Sequence, residues 1–129
     1  MAIAQQYHQN LVHYLRKEVN YNDPNVATGI VVGRLPANAQ VVQALARVRT
    51  TFNAGTTNVL TVGTNASNYD NIFGTADIAE GSAGNNAAPL ANLQEALAEA
   101  DVFVKYTQTG TAATQGKAVI HVAYTVNNG

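Results

Sequence analysis

The sequence predicts an all-β protein: an antiparallel, jelly-roll-like β-sandwich with an N-terminal arm and at most one or two short helices. Three observations carry this prediction. Residues 102–107 and 117–126 alternate two kinds of side chain with a period of two, the pattern of strands buried on one face. Short β-branched runs recur along the chain, separated by stretches rich in Gly, Asn, Pro and Thr. Finally, counting these runs gives seven or eight regularly spaced strands with at most one or two short helices, while absent cysteine separately excludes disulfides and thiolate metal sites.

Taken in order, residues 1–9 carry no pattern and are expected to form the arm, with residues 10–129 as a single domain. Residues 10–19 read as a strand through Leu11, His13, Leu15, Lys17 and Val19, although Leu11, Leu15 and Glu18 also fit a short helix. The run Asn20-Tyr21-Asn22-Asp23-Pro24-Asn25 is a turn signal. A second strand is expected over residues 28–35, bracketed by glycines and ended by Pro36. A long strand follows over 40–52, with Val42, Ala44, Ala46, Val48, Thr50 and Phe52 on one face. Residues 53–57 then read as a hairpin loop leading into a strand at 58–63. Within 64–100, residues 65–71 and 80–89 read as loops, with short strands at Ile72-Phe73 and Asp77-Ile78-Ala79. Leu90, Leu93 and Leu97 have helical spacing in an Ala- and Glu-rich segment, so a turn or two of helix competes with strand over 90–100. The closing strands at 102–107 and 117–126 read as a second hairpin around a neutral loop, 108–116. The total is seven or eight strands.

Composition narrows the function. The 129 residues carry 12% charged side chains, about half the usual share, and a net charge of −1. A phosphate-binding surface needs a basic excess or cluster, and only Arg47 and Arg49 lie close together, so nucleic acid is not an expected partner. No apolar run reaches the length of a membrane span, and the first residues lack the basic and apolar regions of a secretory signal. Polarity comes from 15 Asn and 13 Thr beside 22 Ala, a neutral surface suited to packing against other protein.

No catalytic constellation emerges. His8, His13 and His121 show no metal-ligand spacing. Asn68, Asp70, Asn71, Asp77 and Glu80 are oxygen-rich but lack the Asp-x-Asp/Asn-x-Asp/Asn-Gly calcium pattern, and read as turn formers. Glu95 and Glu99 sit one helical turn apart without an aromatic platform, which reads as a solvated face. Ser67 and Ser82 lie outside any Gly-x-Ser-x-Gly motif, and Gly29 to Arg34 is no phosphate loop. Asn65-Ala66-Ser67 matches a glycosylation acceptor, a motif frequent by chance. Tyr7, Tyr14 and Tyr21 recur every seven residues and read mainly as sheet-face or core tyrosines. The expectation is a protein without enzymatic activity, cofactor or metal.

The runs Thr28-Gly-Ile-Val-Val-Gly-Arg-Leu-Pro-Ala-Asn-Ala-Gln-Val and Thr51-Phe-Asn-Ala-Gly-Thr-Thr-Asn-Val-Leu-Thr-Val-Gly-Thr, with the close from Val102 to Ile120, carry a resemblance. It spans residues 10–126 and is densest at 28–64 and 101–120. In these stretches the chain resembles small structural proteins of tailed bacteriophages, specifically head decoration or cement proteins. Its motifs are strand-and-turn grammar without a chemical signature. The resemblance implies a jelly-roll-like sandwich on the capsid exterior of a virion assembled in the host cytoplasm. It also implies the major capsid protein as partner, a dimer or trimer of this chain, and no catalysis. Tyr7, His8, Tyr14, Thr109, Thr111 and Thr114 are the contact residues expected on this reading. A host-surface or glycan-binding module and a head-tail connector component are the alternatives. The segment 90–100 fits the pattern least.

Overall fold

The computed structural model describes residues 11–126. Eight strands form there: β1 (His13–Asn20), β2 (Ile30–Leu35), β3 (Ala39–Thr50), β4 (Thr57–Gly63), β5 (Gly84–Ala87), β6 (Glu95–Ala96), β7 (Ala100–Thr109) and β8 (Lys117–Val126). The larger of two antiparallel sheets has the order β1–β8–β3–β5, with β6 paired to the start of β3. The smaller sheet has the order β2–β7–β4. Tyr7, His8 and the expected arm lie outside the described residues.

Both expected hairpins are corrected by the pairing. β3 pairs with β8, and β4 pairs with β7, so the chain changes sheet between β3 and β4 and again between β7 and β8. Consecutive strands across these loops face each other through the core of a two-sheet β-sandwich. Neither loop has the two-residue Asn-Gly or Asp-Gly turn that ties adjacent strands. Alternation identifies a buried face but not the neighbour that pairs along the strand edge.

The core lies between the sheets. The larger sheet contributes Val19, Ala39, Val41, Ala44, Ala46, Val48, Ala118, Ile120 and Val122. The smaller contributes Leu35, Leu60, Val62, Val102, Val104 and Tyr106, with Phe73 from the connecting segment. Small alanines on β3 thus face larger side chains, which keeps the interior close-packed. Each fully buried Val, Leu or Ile contributes about 1.5–3 kcal/mol relative to exposure.

A β-bulge revises the expected face of β3. The register shifts between Val41 and Gln43, so Val41 is buried and Val42 is 44% exposed. Alternation holds as expected from Ala44 to Val48, and a second register shift between Val48 and Thr50 leaves Thr50, expected on the inward face, exposed, while Phe52 is buried.

The segment 90–100 forms a 3-10 turn at Leu90–Asn92 and the two-residue strand β6, with no α-helix. Leu90 and Leu97 are exposed, and only Leu93 packs on the core, so the leucine stripe has no surface to bury. Backbone pairing to β3 replaces it: the N–H groups of Asn38 and Val41 donate to the carbonyls of Ala96 and Gln94. The expected strand at 77–79 is a bend, and Ile72-Phe73 reduces to a single bridge between Phe73 and Val62. Conversely, the expected loop 80–89 contains β5, which the Asn86 amide helps hold by donating to the Ala46 carbonyl.

Candidate functional site

Two surfaces stand out, the end of the sandwich where the sheet-crossing loops meet and the outward face of the larger sheet. At the end, the loops between β3 and β4 and between β7 and β8 lie side by side. The Gly55 and Thr56 N–H groups donate to the carbonyls of Thr111 (2.8 Å) and Thr109 (3.0 Å). The Asn53 carboxamide bridges the two loops. Its oxygen accepts from the N–H groups of Thr114 (2.8 Å) and Gln115 (3.1 Å), and its NH2 donates to Thr114 Oγ1 (2.8 Å). The hydroxyls of Thr57 and Thr109 share a 2.6 Å hydrogen bond.

Beneath these loops, the Phe52 and Tyr106 rings pack 4.8 Å apart. Gly116, at φ 153°, lies so close to the Phe52 ring that a Cβ there would collide with it. The Tyr106 hydroxyl donates to Asn58 Oδ1, which also accepts from the Ala54 N–H. Glu80 is buried, and its carboxylate accepts from the Leu60 N–H at 2.7 Å. Burial pushes the Glu80 carboxyl above its usual range, although this bond works the other way. Burial, and secondarily the Glu80 charge, also raises the Tyr106 phenol.

The oxygen-rich loop does not converge on a point. Asp70 accepts from the Asn65 amide, Asp77 from the Gly74 N–H, and Glu80 turns inward to Leu60. Among the described residues, no group of three or more His, Asp or Glu is placed to hold a metal ion, and no helix is long and apolar enough to cross a membrane. Glu99 and Asp101 bind Arg34, at 3.4 and 2.7 Å. Glu95 lies in β6 and not one helical turn from Glu99.

The outward face of the larger sheet is divided along its strands. Register aligns Tyr14, Ala123 and Gln43 in one row and Arg16, His121, Leu45 and Ala87 in the next. Glu18, Val119, Arg47 and Asn85 form a third, followed by Asn20, Lys117 and Thr50, with Arg49 at the adjoining irregularity. The Tyr14 end is apolar. An open groove of about 510 Å³ lies there, lined by Val12, Tyr14, Val42, Ala87, Leu90 and Leu93 among others. The other end carries Arg16, Arg47, Arg49 and Lys117 around Glu18, with Asp23 at the margin, where its carboxylate accepts from the Asn20 N–H at 2.8 Å. Burial first, then Arg16 and Arg49, lower the pKa of His121.

Of the expected contact residues within the described chain, Thr109, Thr111 and Thr114 share the end loops, and Tyr14 stands apart on the sheet face, 66% exposed. His13 packs against Tyr124 with ring centroids 5.4 Å apart. Sequence reasoning found Arg47 and Arg49 but not Arg16 and Lys117, which are distant in the chain and meet only through pairing with β8. Their outward parity was readable; their register was not.

These features define a small antiparallel β-sandwich with two polar or mixed surfaces. No protein-family model matches the chain, and no curated protein matches it in sequence. Solved structures do match. A chain of the cyanophage Pam1 capsid asymmetric unit superposes with a TM-score of 0.71 at 17% identity, covering 92% of this chain and 87% of that one. A chain of the acid-stable capsid of Helicobacter pylori bacteriophage KHP30 gives 0.69 at 16% identity, covering 90% and 88%. One from the capsid of Ralstonia phage GP4 gives 0.62 at 21%, covering 93% and 86%. The chain shares the fold of these capsid components.

Proposed function

We propose that this protein is a virion structural protein, a decoration or cement protein that binds the outside of the major capsid lattice and stabilises the head. The observation that carries the reading is the shared fold over 92% of the chain with a component of the Pam1 capsid. Low charge and a neutral Asn/Thr surface support it, because close approach to another protein then desolvates few ions. The role requires no catalysis. Affinity comes from modest contacts repeated by symmetry, by a dimer or trimer of this chain seated on the lattice. Residues 1–9, with Tyr7 and His8, act as an arm, and Tyr14, Thr109, Thr111 and Thr114 supply contacts from the sandwich. The outer strands β1 and β2 offer edges that an extended neighbour can pair with.

The test is co-sedimentation of the purified protein with expanded heads that lack it. Saturable binding and a higher head-disruption temperature are expected. Absence of binding overturns the proposal. Deleting residues 1–9 is expected to weaken attachment while leaving the far-UV circular dichroism of the sandwich unchanged; unaltered attachment removes the arm from the account.

A further inference from the structure

The geometry points to the outward face of the β1–β8–β3–β5 sheet as the docking surface, and to its partner as an acidic protein surface flanking an apolar patch. This inference rests on the capsid reading and names the chemistry of the contact.

Two properties of the face carry it. First, the apolar and basic halves adjoin. Tyr14, Val42, Leu45, Ala123 and Leu90 occupy one half, with Tyr14, Val42 and Leu90 exposed. A monomer seldom leaves such residues contiguous without a partner. Second, four of the seven Lys and Arg residues lie on the other half, around Glu18, with Asp23 at its margin holding Asn20. Among the described residues, none of Arg16, Arg47, Arg49 and Lys117 forms an ion pair, and only Arg47 makes a side-chain hydrogen bond, to Asn85 at 3.1 Å. A protein with net charge −1 thus gathers four of its seven cations, beside two carboxylates and without an ion pair among the described residues, next to its exposed apolar side chains.

Charge complementarity selects the partner. A second copy docked through the same face would set two cationic halves against each other or against apolar surface, which is unfavourable in an isologous contact. The acids at the far end of another copy are no better, since Arg34 already pairs with Glu99 and Asp101. Nucleic acid would use the cations but not the groove, and Glu18 would stand against its phosphates. A protein surface with an acidic rim beside apolar side chains satisfies both halves at once.

The experiment compares the full-length protein with Arg47→Glu, Arg49→Glu and Tyr14→Ala in co-sedimentation with expanded heads, at low and high salt. Lys105→Glu, on β7 of the other sheet, is the charge-matched control. The arginine variants are expected to lose about tenfold or more in affinity at low salt, with the gap narrowing at high salt as charges are screened. Tyr14→Ala is expected to lose severalfold at both salts, because an apolar contact is not screened. Lys105→Glu is expected to bind as the unchanged protein does. Because Arg49 makes no side-chain hydrogen bond among the described residues, its variant keeps the test valid if Arg47→Glu fails to fold. Binding by the unchanged protein that survives both arginine substitutions overturns the docking surface alone. Equal losses in the arginine variants and Lys105→Glu also overturn it, by reducing the effect to net charge. Failure of the unchanged protein to bind heads overturns the capsid reading and the docking surface with it. Tight, salt-sensitive retention of the unchanged protein on duplex DNA, abolished by Arg47→Glu while head binding persists, overturns the choice of a protein partner.

Discussion

The end of the sandwich and the outward face of its larger sheet use their polar groups in opposite ways. At the end, Asn53, Thr57, Asn58, Thr109 and Thr114 bond to one another or to backbone across the two loops. On the sheet face, exposed Arg16 and Arg49 and half-buried Lys117 have no side-chain partner among the described residues. Internally satisfied groups cost stability when they are removed. Unsatisfied exposed groups contribute little to folding and remain available to a partner. The contrast separates a surface that holds the fold together from one that offers itself outward.

The largest effect that sharpens this contrast lies under the end loops. Tyr106→Ala is expected to cost about 3–5 kcal/mol by denaturant unfolding, because a fully buried ring packed against Phe52 is lost. A cost near that of an exposed residue would break the view of this end as a structural clasp. Gly116→Ala comes next, at about 1–3 kcal/mol, since its Cβ meets the Phe52 ring and the backbone conformation disfavours a side chain. Asn53→Ala removes the bridge between the loops and is expected to cost about 1–2 kcal/mol, with amide exchange accelerating at Thr114 and Gln115.

Glu80 gives a pH-dependent test. Its native pKa lies above the ordinary 4.5, so the folded state binds this proton more tightly than the unfolded chain does. That contribution is full below the unfolded carboxyl range and is lost as pH rises through the raised native pKa. Glu80→Gln stays neutral throughout, so it is expected to remove this component from the stability–pH curve. An unchanged slope from pH 4.5 upward would show that the carboxyl does not titrate as its burial requires.

The smallest expected effects belong to the sheet face. Arg49→Gln is expected to shift thermal unfolding by no more than about 0.5 kcal/mol in stability. It should also raise the His121 pKa in an NMR titration, because one of the positive charges that lower it is gone. A loss of stability matching that of Asn53→Ala would erase the distinction between the two surfaces.

Most strands were legible in the sequence because alternation survives wherever one face is buried. The expected strand over 117–126 coincides with β8, and the inward set Val102, Val104 and Tyr106 is fully buried as its parity requires. Val42 broke the pattern because a bulge adds a residue that alternation cannot anticipate. The leucines at 90, 93 and 97 misled because helical spacing forms a helix only where a surface exists to bury the stripe. At the candidate sites, Thr109, Thr111 and Thr114 were found as a neutral loop, but their bonding to Asn53 and Thr57, sequentially distant, was invisible.

By itself the sequence determined an all-β sandwich without cysteine chemistry, a low-charge surface, and the inward or outward parity of most strand residues. These are local properties, set by side-chain chemistry and the two-residue period of extended chain. Only the tertiary structure decided that β3 pairs with β8 rather than β4, that Glu80 turns inward to Leu60, and that Arg16 and Lys117 join Arg47 and Arg49. Strand pairing is a competition among long-range partners settled by how all apolar faces are buried together, and no local pattern records its outcome.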